Sequence, residues 1–598
     1  MKFPYGISDY YDVIMENYFY VDRTDKISLI EEIGKYLFFL RPRRFGKSLL
    51  VSMLDNYYDV AKANQFEQLF GHLAIGKNPT PKHNQYLVMS WDFSAVDSSG
   101  DANEIRQRLH DHINACIEQF IAHYDGYLEG DIKLYPTNGL YSLQSVFAAI
   151  ERTPYKLYLL IDEYDNFANE VMMAGESASQ ERYTSLIQGE GALKALFKAV
   201  KSGTKKYIDR IFITGVSPVV MSDINSGFNI AENIYLYAEF NDLCGFKESE
   251  IADSLKQITN ICHLSPEKTD EALTLMRTFY NGYCFSYDTD QLVYNPTLAL
   301  YFMKTFRRTC LYPHNILDSN LAMDRGKIHY VSLLPNGGQI IANALDDSQP
   351  VAISELSDRF GVNEMLTGTK DTSFMASLLY YFGVLTLTAQ HTSIGEFILK
   401  IPNLVIRKLY VERIQEMLLP KSVDKDKAGQ VAKQFYQTGN LQPLCQFMEE
   451  TYFKVFDNRD YRWTNELTIK TAFLTLLFND TFYIMDSETS LGRSYADLTM
   501  IIRPDMRQFQ LLDFLIEFKY LSLKQIGLTG EKVKQKSINE LKTLEPIKEK
   551  LVESKDQLKI YQKILQSRYP NNILRLHTYS VVSIGYERVV WVEHELAE

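Results

Sequence analysis

The chain has 598 residues, 46% of them hydrophobic, and a net charge of −12 from 63 basic and 75 acidic side chains. That length is too great for one core and predicts about three or four domains. The acidic balance argues against a broad nucleic-acid-binding surface, and no apolar run approaches the roughly 20 residues of a membrane helix. The start, Met1 to Gly6, lacks the apolar core of a signal peptide. The six cysteines are scattered with no C-x-x-C pair, so neither a zinc site nor a disulfide framework is expected and a reduced, cytoplasmic setting is the simplest account.

In chain order, apolar runs at 36–40, 86–91, 157–161 and 210–214 read as buried strands. Helical stretches after 47 and around 102–124, 142–151 and 181–201 separate them. This alternation predicts an α/β domain with a mostly parallel sheet covered on both faces. The first strand runs into RPRRFGKS at 41–48, and Leu49-Leu50-Val51 begin a helix. Strand, turn ending in Gly46-Lys47-Ser48, then helix is the order a phosphate-binding loop needs. Backbone N–H groups through Leu49 point at a phosphate, Lys47 adds a point charge, and Ser48 offers a hydroxyl to Mg²⁺. Arg41 stands where the pattern G-x-x-x-x-G-K-[ST] has glycine, so Arg41, Arg43 and Arg44 are expected to supply direct charge in place of some backbone cradling. A plain basic turn is the alternative.

The strand at 157–161 ends in Asp162 and Glu163. That arrangement places one carboxylate on the Mg²⁺ shell and the next beside an attacking water. Asp162 would hold the metal through water or Ser48, Glu163 would polarise the nucleophile, and Thr214 at the end of the next strand would sense the terminal phosphate. A solvated strand end is the competing account of the carboxylate pair.

Residues 245–310 read as a helical lid. Helices near 338–346, 353–360 and 373–382, then short strands at 383–387 and 396–402, suggest a winged-helix module. Few basic residues on its candidate helix favour a protein–protein or intramolecular role. The charged, apolar-poor stretch 421–440 reads as a linker.

A second constellation lies further on. Asp497 sits in a strand at 492–502, a turn follows at 503–505, and the strand 510–519 carries Glu517 and Lys519 two residues apart, on one face. A hairpin would bring Asp497 beside them. Oxygen ligands of this kind suit Mg²⁺ or Mn²⁺, with Lys519 orienting a water or neutralising charge on phosphorus. Glu466, opening a helix, could complete the carboxylate set, and Gln557 on a later helix could face the site. The competing account is an amphipathic hairpin with an exposed Glu/Lys pair. Apolar residues on both faces before Glu517 make this strand central, where charges need a reason. Between Lys519 and Lys563 stand eleven lysines, no arginine and six acids: a local basic surface or a solvated helical face.

These strings resemble the bacterial proteins that join an AAA-ATPase-like domain to a C-terminal PD-(D/E)XK nuclease-type domain. The shared marks are Phe19 to Thr24, RPRRFGKS, Leu160 to Asp165, Ile213 to Pro218, Tyr280-Asn281-Gly282-Tyr283 with Tyr294-Asn295-Pro296, Gly492-Arg493 before Asp497, and Glu517-Phe518-Lys519. The expected layout is a P-loop NTPase core at 1–240, a helical lid at 241–320, a winged-helix-like region at 321–420, a linker at 421–440 and a restriction-endonuclease-like domain at 441–598. The resemblance itself covers nearly the whole length. It implies ATP at Gly46, Lys47, Ser48, Asp162 and Glu163, and metal at Asp497 and Glu517 with Lys519 as catalytic lysine. The family places its strand aspartate about two residues after Gly-Arg; here Ser494-Tyr495-Ala496 intervene, which predicts a small bulge. The expected function is an ATP-controlled, Mg²⁺- or Mn²⁺-dependent nuclease acting on nucleic acid, DNA ahead of RNA. A nucleotide-switched scaffold that binds without cutting, and a constitutive nuclease on a non-hydrolysing platform, are the alternatives. Related ATPases often form rings, so a homo-oligomer is an expectation, with Arg43, Arg44 and Arg210 as candidates for an arginine finger. No membrane partner is expected.

Overall fold

The computed structural model describes residues 1–97, 99–166, 191–219, 228–317, 325–334, 337–345, 351–358, 360, 371–456, 466–486, 489–491, 494–569 and 574–595. The chain divides into two compact units: Met1–Leu311 with Ala352–Leu399, and Tyr312–Val351 with Lys400–Glu598. No described helix is long and apolar enough to cross a membrane.

The first unit is built on five parallel strands, β1 (Tyr36–Leu40), β2 (Tyr86–Asp92), β3 (Lys156–Asp162), β4 (Ile208–Gly215) and β5 (Glu232–Asn233), in the order β2-β3-β4-β1-β5. β3 is buried from Leu157 to Asp162, the near-continuous apolar run of a strand covered on both faces. The covering helices include Lys47–Tyr58, Ala102–His123, Gly139–Ile150 and Ala192–Gly203. The third expected helix begins at 139 where 142 is the sequence estimate, because Asn138 caps it by accepting from the N–H groups of Leu140 and Tyr141. Register pairs Leu40 with Gly215 and Ile161 with Ile213, so the carboxyl ends of β1, β3 and β4 lie side by side. In open parallel sheets that edge is where ligands bind.

Three helices follow, Glu248–Ile261, Glu267–Tyr280 and Pro296–Thr309. The residues after the first and third, Cys262 and Cys310, form a disulfide with Cα atoms 5.6 Å apart. This corrects the expectation of wholly reduced cysteines. The partners are 48 positions apart and only the packing of two helix ends brings them together. Within the stretch expected to be helical at 353–360, Ile353 instead closes strand β6 (Val351–Ile353), and residues 354–358 and 360 are not helical. With β7 (Thr386–His391) and β8 (Phe397–Lys400) it makes a small sheet of order β6-β8-β7, preceded by the helix Thr372–Tyr381. Helices Arg325–Leu333 and Gly337–Ala344 pack in the second unit against Leu404–Leu418, so the residues read as one winged-helix region divide between the units.

The stretch read as a linker is a helix, Ser422–Thr438. Its charged start faces solvent, and the apolar stripe that anchors it, Ala428, Ala432, Phe435 and Tyr436, comes late and at helical spacing. Phe435 stacks on Phe514 with ring centroids 4.2 Å apart. The sheet beneath comprises β9 (Tyr483–Asp486), β12 (Leu498–Ile502), β13 (Asp513–Leu521), β14 (Leu576–Ile584) and β15 (Arg588–His594), in the order β15-β14-β13-β12-β9. A hairpin of β10 (Thr489–Leu491) and β11 (Ser494–Ala496) stands outside it. β13 is central and buried along nearly its full length, antiparallel to β12 and parallel to β14. Phe435→Ala should therefore lower the unfolding free energy by about 3–5 kcal/mol in urea titrations; an unchanged midpoint would return the segment to linker status.

Candidate active sites

The loop after β1 is pinned from below by Arg41. This side chain is 1% exposed. Its guanidinium donates to the carbonyls of Leu40 (2.8 Å), Tyr235 (2.9 Å) and Phe240 (2.6 Å). It also lies 4.4 Å from the Phe39 ring and 4.2 Å from that of Phe285. Burial draws its pKa down to about 10, and carbonyl dipoles and ring faces carry the charge in place of a carboxylate. Arg41 is thus a structural residue that does not line the cavity at this loop, which corrects the idea that it supplies charge there in place of a cradling glycine. Arg210 is similarly committed: it donates to Gly34 and Glu31 carbonyls at 3.0 Å each and is 3% exposed, so it is no arginine finger.

Above Arg41 the backbone turns through Arg44 (φ 68°) and Gly46 (φ 91°) into the helix Lys47–Tyr58. A side chain at Gly46 would be strained at that φ, and open space lies where its Cβ would be. The first N–H groups of the helix therefore face an uncovered opening. A cavity of about 300 Å³ lies there, lined by residues 44–50, Glu163, the segments 4–8 and 19–21 and the start of the helix Pro296–Thr309. Arg44, Gly46, Lys47, Ser48 and Leu49 all line it; Arg43, Asp162 and Thr214 do not. Arg43 donates to Asn166 Oδ1 at 2.5 Å.

Lys47 is 3% exposed and its Nζ lies 3.1 Å from Glu163 Oε1. Burial opposes its charge, but Glu163 and then Asp162 outweigh that and hold the ammonium above its ordinary pKa. Glu163 follows β3 in the left-handed region, φ 49°, a conformation costing a non-glycine residue about 1–3 kcal/mol and concentrated at functional sites. Asp162 is buried, and burial pushes its carboxyl up to about 6 against the pull of Lys47 and a hydrogen bond with Ser48. Thr214 is fully buried, and its Oγ1 has no hydrogen-bond partner among the described residues. Asp165, which sequence reasoning left without a role, ties the ends of β3 and β4 by accepting from Val216 N, Ser217 N and Ser217 Oγ. Open space over the loop, a buried ammonium and adjacent carboxylates fit the phosphates of a nucleotide with its hard cation.

In the second unit, Asp497 falls between β11 and β12. The three intervening residues that suggested a bulge are β11 itself, paired with β10. The β12–β13 register sets Leu498 opposite Ile516, so Asp497 meets the neighbourhood of Glu517. Asp497 Oδ2 accepts from Phe518 N at 2.8 Å, and Lys519 Nζ donates to Glu517 Oε1 at 2.9 Å. Glu517 and Lys519 are 3% and 7% exposed, which rules out the solvated hairpin. Glu517 Oε2 is buried with no hydrogen-bond partner among the described residues, and so is Gln557 Oε1. Burial, and then the Asp497 charge, push the Glu517 carboxyl up to about 8.

The helix Glu466–Leu477 adds Lys470, whose Nζ is 3.7 Å from Asp497 Oδ1. The Glu466 side chain lies outside the described residues. Lys470, one helical turn after Glu466, was signalled by that i,i+4 spacing and missed. Tyr561 was also missed; burial first, and then Glu517 and Asp497, raise its phenol to about 12. No group of three or more His, Cys, Asp or Glu side chains is gathered at metal-binding spacing among the described residues. Two carboxylates with an orphaned buried oxygen still fit a hard divalent cation, whose charge would offset the cost of ionising Glu517.

Comparison with known proteins agrees with this layout. A family model described as predicted AAA-ATPase matches residues 4–225, and one for the PD-(D/E)XK nuclease superfamily matches 464–591. A protein of Azotobacter chroococcum mcd 1, described as an uncharacterized protein in the vnfD 5′ region, is 24% identical over 555 residues, covering 90% of this chain and 92% of that one. Two solved structures show slight similarity. The Aeropyrum pernix Orc1 protein in complex with DNA is 9% identical at a TM-score of 0.26, over 67% of this chain and 96% of that one. Cdc6p from Pyrobaculum aerophilum is 11% identical at 0.23, over 68% and 93%.

Two expectations follow from the geometry. Arg41→Lys keeps the charge but cannot span three carbonyls, and at about 1–3 kcal/mol for each buried group left unpaired it should lower the urea midpoint clearly; wild-type stability would show the fork to be dispensable. In EDTA, the raised Glu517 pKa means the native state holds a proton that the unfolded chain releases near pH 4.5. Stability should therefore fall as pH rises from about 4.5 to about 8. Glu517→Gln should flatten that slope, and parallel melting-temperature profiles for the two proteins would contradict the assignment.

Proposed function

The chain joins an AAA-ATPase-like domain to a PD-(D/E)XK nuclease-superfamily domain, and from that premise we propose an ATP-controlled, Mg²⁺- or Mn²⁺-dependent nuclease acting on DNA in preference to RNA. The observation that carries the reading is the buried Glu517 and Lys519 pair on a central strand, with the half-buried Asp497 held beside it by Phe518 N. Ionisable groups in such a place are costly for a fold that only binds. The acidic net charge speaks for a scaffold, but the stretch 519–563, with eleven lysines against six acids, is locally basic.

Asp497 and Glu517 would hold the cation, which when bound supplies Lewis acidity to a phosphodiester and a more acidic water. Lys519, already 2.9 Å from Glu517, would orient the attacking water and offset the negative charge growing on phosphorus. Phe518 N fixes one Asp497 oxygen, so that carboxylate is oriented before substrate arrives.

In the ATPase unit, Lys47 and Glu163 neutralise each other at 3.1 Å. A terminal phosphate would compete for Lys47 and release Glu163 to polarise water, so that nucleotide arrival itself frees the base. Asp162 and Ser48 would hold Mg²⁺, and Arg44, Gly46 and Leu49 would frame the phosphates. Thr214, whose hydroxyl oxygen has no partner among the described residues, is the proposed sensor and needs a small shift of the strand end to reach them. Control of the nuclease by ATP requires different ATP affinities in two arrangements of the protein.

Plasmid DNA incubated with Mn²⁺, with and without ATP, tests the reading. Lys519→Ala should abolish cleavage, by 10²-fold or more, and leave ATP turnover intact. Lys47→Ala should weaken ATP binding and change cleavage. Cleavage that persists in Lys519→Ala would sink the site, and cleavage indifferent to both ATP and Lys47→Ala would mean a constitutive nuclease.

A further inference from the structure

Two packed helices start at the wall of the phosphate cavity. The segment 243–246 lines that cavity and leads into the helix Glu248–Ile261; Pro296, Thr297 and Leu300, at the start of the helix Pro296–Thr309, line it too. Main chain fastens the pair here: Phe246 N donates to Tyr294 O at 3.3 Å, and Tyr294 N to Phe246 O at 2.8 Å. Thr297 Oγ1 donates to the carbonyl of Arg44, in the phosphate loop itself, at 3.1 Å. Arg23, also on the cavity wall, donates to Gly245 O at 3.0 Å and to the two Glu250 carboxylate oxygens at 2.7 and 2.9 Å.

Each helix has 14 residues, a length of about 21 Å at a rise of about 1.5 Å per residue. Their far ends meet at the Cys262–Cys310 disulfide, which joins the residues that cap the two helices. The pair is therefore fastened at two points, at the cavity and a helix length away. Between them the buried faces are mostly apolar, with Leu255 and Ile258 on one helix and Phe302 and Phe306 on the other. Packed helices of this kind move by shear, in small sliding steps, and a covalent link across their ends opposes such a step.

The bond is also reachable. Cys262 and Cys310 are both part exposed, beside the exposed Ile261, His263 and Leu311. Cys244, Cys284 and Cys445 are buried, and burial pushes the Cys116 thiol up to about 12, so these four do not compete as nucleophiles. Leu311 ends the first stretch of the first unit and Tyr312 opens the second unit, so the link lies where the chain leaves the nucleotide-site unit.

We propose that Cys262–Cys310 is a site of thiol–disulfide exchange that sets the affinity of the nucleotide cavity. Closed, the bond holds both helix starts against the phosphate loop. Opened, it lets the helices slide and loosens the cavity wall. The proposal rests on the nucleotide site described above. In the exchange, one thiolate of a dithiol reductant attacks a sulfur of the pair, the S–S bond breaks, and the other cysteine leaves as a thiolate that takes up a proton. The reductant's second thiolate then displaces the first cysteine, which is protonated in turn. Two cysteine thiols and one oxidised reductant result, with two electrons passed to the protein.

The test compares the full chain after treatment with glutathione disulfide and after dithiothreitol. Mass spectrometry of unreduced peptides should find the Cys262–Cys310 link in the first sample and two alkylated thiols in the second. Calorimetric titration with Mg²⁺ and a non-hydrolysable ATP analogue should give a Kd about tenfold weaker for the reduced protein, as when the binding-competent arrangement falls to about a tenth of the population. Cys262→Ser and Cys310→Ser should each match the reduced protein and ignore dithiothreitol. Equal affinity in the two wild-type states, or a Cys262→Ser protein that still responds to dithiothreitol, overturns the clamp and leaves the nucleotide site standing. So does the absence of the linked peptide after glutathione disulfide. An analogue bound by neither form overturns the clamp and the nucleotide site together.

Discussion

A charge taken out of water must find compensation within a few ångströms, and both candidate sites are organised by that constraint. Lys47 is buried because the loop that carries it closes over the sheet, and it is tolerable there because β3 delivers Glu163 to 3.1 Å. Glu517 is buried because β13 is central, and Lys519 on the same face answers it. In each unit the pairing is local to one end of a sheet. In each, the groups that neighbour one another in the ligand-free fold are those that a phosphate or a hard cation would claim.

Arg41 shows the same constraint met by other means. Its guanidinium pairs with no carboxylate among the described residues; three carbonyls and two aromatic faces hold it. It fixes the base of the loop so that the backbone above can turn through the left-handed Gly46 and leave its N–H groups facing open space. Arginine at this point in RPRRFGKS thus acts on the loop's shape and not on its ligand. Asp165 does related work between β3 and β4, where Val216 and Ser217 donate to it. Rigid support below and open space above is what a pre-organised phosphate site requires.

Much of this was legible beforehand, for definite reasons. The strands of the first unit are continuous apolar runs, and buried parallel strands admit no other pattern. Gly46-Lys47-Ser48 and Asp162-Glu163 each sit at a strand end, where backbone order alone places them at the ligand edge. Glu517 and Lys519 share a face because strands alternate. The failures were equally physical. The charged start of the helix Ser422–Thr438 masked the late apolar stripe that seats it. Residues 494–496 form a strand of a separate hairpin, and spacing alone could not tell that from a bulge.

Local periodicity and motif order therefore determined by themselves the parallel strands of the first unit, the strand–turn–helix order at 41–48, and the glutamate and lysine on one face of a central strand. They act over a few residues, within the reach of backbone geometry. The tertiary structure alone decided which arginines face the loop and which lie beneath it. It also decided that Cys262 meets Cys310 and that Lys470 approaches Asp497. Those relations join positions far apart in the chain, and only packing sets the direction of a side chain and the cost of burying it.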